Sequence, residues 1–443
     1  MAYRDLVQDA IDFSVEPHKS SAMEKPKLME QFIKEFLTKV GFEDEATKFK
    51  LTDDDKGYQI ISDLLQKLNN FLYVTDIACG KNPENNKDYI SKFHKFWREN
   101  CAEIINAQID EEKCLTVAKV LEKIQSTYSP QLKTLFTPGD ISGLTPQQIA
   151  NVRFFTITQD FTIRFAADPY PLALTKPHLF DAKAICKNYP KPTDELLHIL
   201  GAESQADKRH KFAKLSAEFL LEKYNGDAFN LSQKHNNDAL EIREALIRNP
   251  DDQFKGQLGF SDKKANLFIR DLVAMDVWKV NNADKLDVSS DTNTMRLALR
   301  TGIFKVRAPL LTSYLDVYDY QYGLIDENTK NAWRKVWEKW GTLPSNHRVQ
   351  APAMFDFLIY RIGQNCCKPQ KRRCETKCKP ETLGKCKLKK DLLKQCYGKC
   401  VFEGICNSST NNLNPPRAIS ILGATGWENG RTTPKGGGKG ISS

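Results

Sequence analysis

Eight of the chain's twelve cysteines lie between Cys366 and Cys406. The other four, Cys79, Cys101, Cys114 and Cys186, stand apart, mostly at apolar positions of predicted helices, and read as small buried hydrophobes. Thiols packed this densely in one late segment tie it to a metal or iron–sulfur centre. The same segment carries 12 Lys/Arg against 4 Asp/Glu, while the first 365 residues together hold a net charge of −2. Basicity is therefore a local device, of the kind that meets phosphates. A solubilising lysine run is the plainer alternative, and the interleaved cysteines weigh against it.

The first residues, MAYRDLVQDAIDF, lack an apolar signal core, and no stretch approaches eighteen apolar residues. The expectation is a soluble intracellular protein, of the cytoplasm or the nucleoid or nucleus, with no membrane partner. In that compartment thiols stay reduced and clustered cysteines favour metal over disulfides. A length of 443 residues points to two or three domains.

Helical periodicity dominates the rest. Met29, Phe32, Ile33, Phe36 and Val40 keep one-face spacing, as do Tyr58, Ile61, Leu64, Leu65 and Leu68. Ile90, Phe93, Phe96 and Trp97, then Val117, Val120, Leu121 and Ile124, continue it. Residues 1–140 thus predict a helical accessory domain, closed by the turn-rich connector TPGDISGLTP at 137–146. A helix should open at Thr145, with Pro146 in its first turn and Gln148 completing a capping box. Further helices are expected over 207–224, 239–248, 262–277, 292–302, 308–320, 327–341 and 352–362, with short strands around 153–165 and 277–280. The tail from 407, rich in Asn, Ser, Gly and Pro, reads as flexible.

Two segments carry chemistry. LGFSDKKANLFIRDLVAMDVW (258–278) is a short turn feeding an amphipathic helix, with Leu267, Phe268, Leu272 and Val273 on its apolar side. DVSSDTNTMRLALRTGI (287–303) sets Asp291 just ahead of a helix ending at Gly302. On spacing alone Asp291 is a helix N-cap, Lys263 a solvated lysine, and Arg296 with Arg300 a same-face pair that binds phosphate or meets acids.

Taken together these segments resemble the helix-hairpin-helix DNA glycosylase superfamily, which includes endonuclease III-like and archaeal 8-oxoguanine glycosylases. In that family a turn and Lys-x-Ala-Asn precede Val-Asp-Thr and an arginine-bearing helix. Lys263, Lys264, Ala265 and Asn266 match the first part, and Asp291, Thr292, Asn293, Arg296, Arg300 and Gly302 the second. The likeness spans about residues 150–406, but its diagnostic part is 259–303 together with the cysteines. The turn here is Gly-Phe-Ser-Asp, without the family's Gly-x-Gly, and the Lys263-to-Asp291 spacing exceeds that of the commonest members.

The resemblance implies an all-α fold: a helix-hairpin-helix glycosylase-like domain at 141–365, a cysteine-rich iron–sulfur or zinc loop at 366–406, and a flexible tail at 407–443. It implies excision of a damaged or modified base from double-stranded DNA by a monomer, with an accompanying abasic-site lyase activity if a lysine attacks. Asp291 would stabilise the sugar cation that develops as the base leaves, and Lys263 would be the nucleophile, with Lys264 helping to keep it neutral. Gln159, Gly259, Lys264, Arg296 and Arg300 would meet the DNA. A [4Fe–4S] cluster would be held by Cys366 or Cys367 with Cys396, Cys400 and Cys406; an alternative register uses Cys367, Cys374 and Cys378. Tetrathiolate zinc is the rival and disulfides come third. From another class, a non-catalytic nucleic-acid-binding protein with a metal-stabilised loop would keep the same motifs.

Overall fold

The computed structural model describes residues 34, 38, 43, 47, 107–135, 139–160, 165–248, 254, 257–305, 318–344, 347–367 and 400–406. These are mostly helical, and none of their helices is long and apolar enough to cross a membrane. Almost all of the accessory segment 1–140 before residue 107, the helix expected to begin at 308, and the tail from 407 lie outside the described residues.

The chain divides into two compact units. In the first, which includes Met1–Asp110, Ala298–Thr329 and Cys406–Ser442, strand β1 (Gln108–Ile109) pairs antiparallel with β2 (Phe304–Lys305). Asp110 closes that pairing through its amide to the Ile303 carbonyl and its carboxylate to Lys305 at 2.9 Å.

The second unit takes in Glu111–Leu297 and Lys330–Ile405. Its helices are α1 (Glu111–Leu135), α2 (Pro146–Gln159), α3 (Leu172–Thr175), α4 (Ala182–Asn188), α5 (Lys191–Leu200), α6 (Ala206–Tyr224), α7 (Asn230–Lys234), α8 (Ala239–Ile247) and α9 (Asp262–Ala274). After them come α10 (Thr292–Thr301), α11 (Tyr318–Trp340) and α12 (Pro352–Cys366), of which α10 and α11 straddle the unit boundary. Helix α1 belongs to this unit, together with the segment that follows the connector.

Helix α2 is the centre of the unit. Thr145 accepts from the Gln148 amide while the Gln148 side chain accepts from the Thr145 amide, the capping box legible in the sequence. Every residue from Ile149 to Gln159 except Asn151 is buried. This explains why 153–165 read as a strand: a helix enclosed all round loses its amphipathic stripe, and its Phe, Thr and Ile content then mimics a buried strand. The correction is that 153–159 is helical; likewise 277–280 is no strand, and only Asn281 forms an isolated bridge, with Asp238. Phe154 packs edge-on against Phe155 and Phe268 and stacks on Phe219. Cys114, as expected of a small hydrophobe, is fully buried.

Helix α12 crosses the start of α10 at very short range. A Cβ built on Gly363 would stand 2.7 Å from the Asn293 carbonyl oxygen, a backbone atom that cannot swing aside. Gly363→Ala should therefore force the two helices apart and destabilise by about 1–3 kcal/mol. A denaturant midpoint unchanged from wild type would contradict that close approach.

Candidate functional site

Residues 286–291 run between three helices of the second unit, and each helix pins them. From α9, Asn266 donates its amide to the Asp287 carbonyl at 3.4 Å. From α11, Arg334 pairs with Asp287 at 2.7 Å and holds the carbonyls of Asp284 and Lys285. At the start of α12 the Ala353 amide reaches the Leu286 carbonyl. The Ser289 hydroxyl donates to the Lys263 carbonyl at 3.3 Å. Asp291 is thus delivered to the head of α10 from a fixed approach.

Asp291 does cap that helix. Its Oδ1 accepts from the amides of Asn293 at 2.9 Å and Thr294 at 2.8 Å, while its own amide donates to the Thr294 hydroxyl. The Asn293 side chain donates to Oδ2 at 3.1 Å. The side chain remains half-buried, so capping does not remove it from a ligand's reach.

Behind it lies a buried chain of charge that the sequence did not announce. Arg153 of α2 pairs with Asp271 of α9 at 2.6 Å. Arg270, beside it, bridges Asp271 and then Asp356 of α12 at 2.8 Å. Asp356 is only 3% exposed. Burial pushes its carboxyl up to about 6; Arg270 opposes the rise, the Asp291 carboxylate adds to it, the Lys263 ammonium lowers it, and a Ser289 hydrogen bond lowers it further. So Lys263 and Asp291, 28 residues apart in sequence, act on one enclosed carboxyl. Periodicity pointed to the apolar face of 262–277, but two neighbouring charges at Arg270-Asp271 gave no sign of being interior.

The adjacent lysine goes elsewhere. The Lys264 amine donates to the Thr158 carbonyl at the end of α2, at 3.2 Å. Burial lowers it to about 8, Asp160 opposing, with Lys208, Arg209 and Lys263 adding repulsion. The expected repulsion between the two lysines thus operates on Lys264. Because the folded amine binds fewer protons than the unfolded one between about pH 8 and 10.5, stability rises with pH across that window. Relative to Lys264→Met, the wild type should gain up to roughly 3 kcal/mol there, less whatever solvent screens. Parallel pH–stability curves for the two proteins would refute it.

The residues expected to meet DNA fare unevenly. Gln159 is 1% exposed and donates its amide to the Arg209 carbonyl, so it is enclosed and not presented to a ligand. Arg296 is buried and donates to the Cys367 carbonyl at 3.1 Å; Arg300 is buried as well. Both read from the sequence as a same-face pair that binds phosphate or meets acids, and helical spacing cannot tell a solvated face from one covered by another segment. Gly259 has φ +79° and abuts the Phe212 ring, which accounts for glycine there. Next to it Ser261 caps α9, and Asp262 puts a carboxylate in the first turn, paired with Arg243 at 2.8 Å. That carboxylate disfavours an anion at this helix end.

Cys366, Cys367 and Cys400 are buried and Cys406 is half-buried. The thiols of Cys366 and Cys400 hydrogen-bond, and this contact with burial raises Cys400 well above the usual thiol range. The Lys113 amine holds the Ile405 carbonyl at 3.3 Å. Two touching thiols supply half of a tetrathiolate set; among the described residues no group of three or more potential ligands converges. Cys374, Cys378, Cys386 and Cys396, with the basic residues of 368–399, lie outside the described residues. No protein-family model matches this chain, and no curated protein is significantly similar to it.

Proposed function

We propose that the chain is a DNA glycosylase of helix-hairpin-helix type, which excises a damaged or modified base by cleaving the N-glycosidic bond. The observation that carries this reading is the placement of Asp291 at the head of α10, its carboxylate held by the Asn293 and Thr294 amides at 2.9 and 2.8 Å, with the Ser289 hydroxyl just before it bonded to the Lys263 carbonyl at 3.3 Å. Helices α8 and α9 pack against each other, as the two arms of such a hairpin would, and Asp291 caps the helix that follows.

As the base departs, positive charge builds on the deoxyribose ring. The Asp291 carboxylate, oriented by three N–H donors, needs no reorganisation to face it. If the Lys263 amine adds at C1′, the resulting imine permits strand cleavage by β-elimination. The cysteine segment would hold a [4Fe–4S] cluster or zinc through Cys366 or Cys367 with Cys396, Cys400 and Cys406. Its part would be to fix the fold of the basic segment around those cysteines.

The test is mass spectrometry of bases released from a panel of modified duplex DNAs. Release of one base class by the wild type supports the reading, and no release from any duplex defeats it. The alternative, a non-catalytic nucleic-acid-binding protein, is favoured by the complete engagement of Asp291 as a cap. It predicts duplex binding that weakens steeply with salt, without abasic sites.

A further inference from the structure

We propose that the exposed face of α6 is a docking surface for an unpaired nucleic-acid strand, an inference that rests on the nucleic-acid partner of the glycosylase reading. Lys208, Lys211 and Lys214 are all exposed and follow one another at intervals of three. With about 3.6 residues per turn, each step falls about 60° short of a full turn, so the three form a ridge that crosses the helix obliquely. Neighbours on such a row stand about 5–6 Å apart at Cβ, a spacing that lets successive ammonium groups meet successive phosphates. Lys211, in the middle, pairs with no carboxylate among the described residues.

An aromatic ring closes each end of the ridge. The Lys208 amine stands 5.6 Å from the centre of the Phe212 ring, and the Lys214 amine 5.5 Å from that of Tyr189, between α4 and α5. Both rings are held in place. Phe212 is backed by the turn at Gly259, where an added Cβ would meet the ring at 2.8 Å. Tyr189 is met edge-on by His210 at 5.9 Å, and the Asp194 carboxylate holds that imidazole at 2.9 Å. Tyr189 is nonetheless 38% exposed. An ammonium over an exposed ring is bound more weakly than a base stacked on it. The flexible lysine stem can therefore swing its ammonium to a phosphate and yield the ring face to the base.

In a duplex the base faces are covered by their neighbours, so these rings serve only a strand whose bases are unstacked. A strand crossing from Phe212 to Tyr189 would lay its phosphates on the three lysines and a base on the ring at either end. Exposed Lys187 and Lys191 flank Tyr189 and extend the positive charge. Within one turn of the ridge α6 carries two acids, Asp207 and Glu218, the latter 3.8 Å from Lys214. Such an exposed pair is weak and leaves the lysine available. One end of the ridge abuts the turn that leads into α9, the helix bearing Lys263. An acidic peptide would satisfy the lysines, but its carboxylates would leave the two rings unused.

The experiment measures, by fluorescence anisotropy, binding of the full chain to a labelled DNA strand of about 12 nucleotides, within the usual range of such sites, and to the same strand in a duplex. Tyr189→Leu and Phe212→Leu, which keep an apolar side chain without a ring, should each weaken single-strand binding about tenfold and duplex binding less than about twofold. Tyr189→Phe should bind as the wild type does. Replacing Lys208, Lys211 and Lys214 together by Gln should flatten the slope of log affinity against log salt by about 2. Denaturant midpoints are measured beside each affinity, and the exposed Tyr189 carries the test if Phe212→Leu proves unstable. Equal losses on strand and duplex would reduce the face to general charge and overturn the proposal. So would unchanged strand binding in Tyr189→Leu, or polyglutamate displacing the strand as well as unlabelled DNA does. Selective loss of strand binding, with no base released from any duplex, would leave the inference standing and remove only the glycosylase reading.

Discussion

Asp291→Asn should lower base release on the order of 100- to 1000-fold while leaving duplex binding intact, as expected when a preorganised charge opposite a developing cation is neutralised. The substitution is informative because it separates the observed capping role of Asp291 from the catalytic role proposed for it. Asparagine is nearly as good an N-cap as aspartate, and its carbonyl oxygen can still accept from the Asn293 and Thr294 amides. The stability loss should stay below about 1 kcal/mol. Asp291→Ala removes cap and charge together and should cost about 1–2 kcal/mol besides the activity. Measuring base release beside the denaturant midpoint decides the matter. If Asp291→Asn keeps wild-type release, the carboxylate is a cap and nothing more.

The largest stability effect is expected at Arg270. Arg270→Met leaves Asp356 without its cation in an interior where it is 3% exposed, and removes one of the two cations on Asp271. Breaking a buried pair from one side typically costs 3–5 kcal/mol, and about that loss is expected at pH 7. The pH dependence follows from the direction of the Asp356 shift. Its folded value, near 6 with Arg270 present, lies above the ordinary 3.8. The folded state therefore binds more protons than the unfolded one between those values, and stability falls as pH rises through them. Without Arg270 the folded value moves higher still, so the deficit of the variant should shrink as pH is lowered toward 4. Chemical denaturation at pH 4, 5.5 and 7 checks this; a constant deficit would remove the uncompensated carboxylate as its cause.

Helix positions were legible wherever one face is apolar and the ends carry capping chemistry. Thr145 with Gln148, and the run from Asp262 to Ala274, show how local those signals are. The run from Arg153 to Gln159 was misread because a helix buried all round has no stripe, and β-branched residues then suggest a strand. The site was half legible. Asp291 and Lys263 were visible as types in a recognisable order, whereas Asp356 was not, because a lone aspartate within FDFLIY reads as the polar edge of a helix. Only the arrival of α12 beside α9 gives that carboxyl its partner. The same limit misplaced Gln159, Arg296 and Arg300, polar residues whose enclosure depends on segments distant in sequence.

The contact at Gly363 has a mechanical corollary. At this crossing the Asn293 carbonyl and Cβ stand so close to Gly363 that no larger side chain fits between the helices, and their separation is set by main chain. Three residues beyond that contact stands Cys366, and the following carbonyl is gripped by Arg296 one turn along the opposing helix. The sulfur-bearing end of one helix and the acid-bearing head of the other are thus spaced by two neighbouring contacts between the same pair of rods.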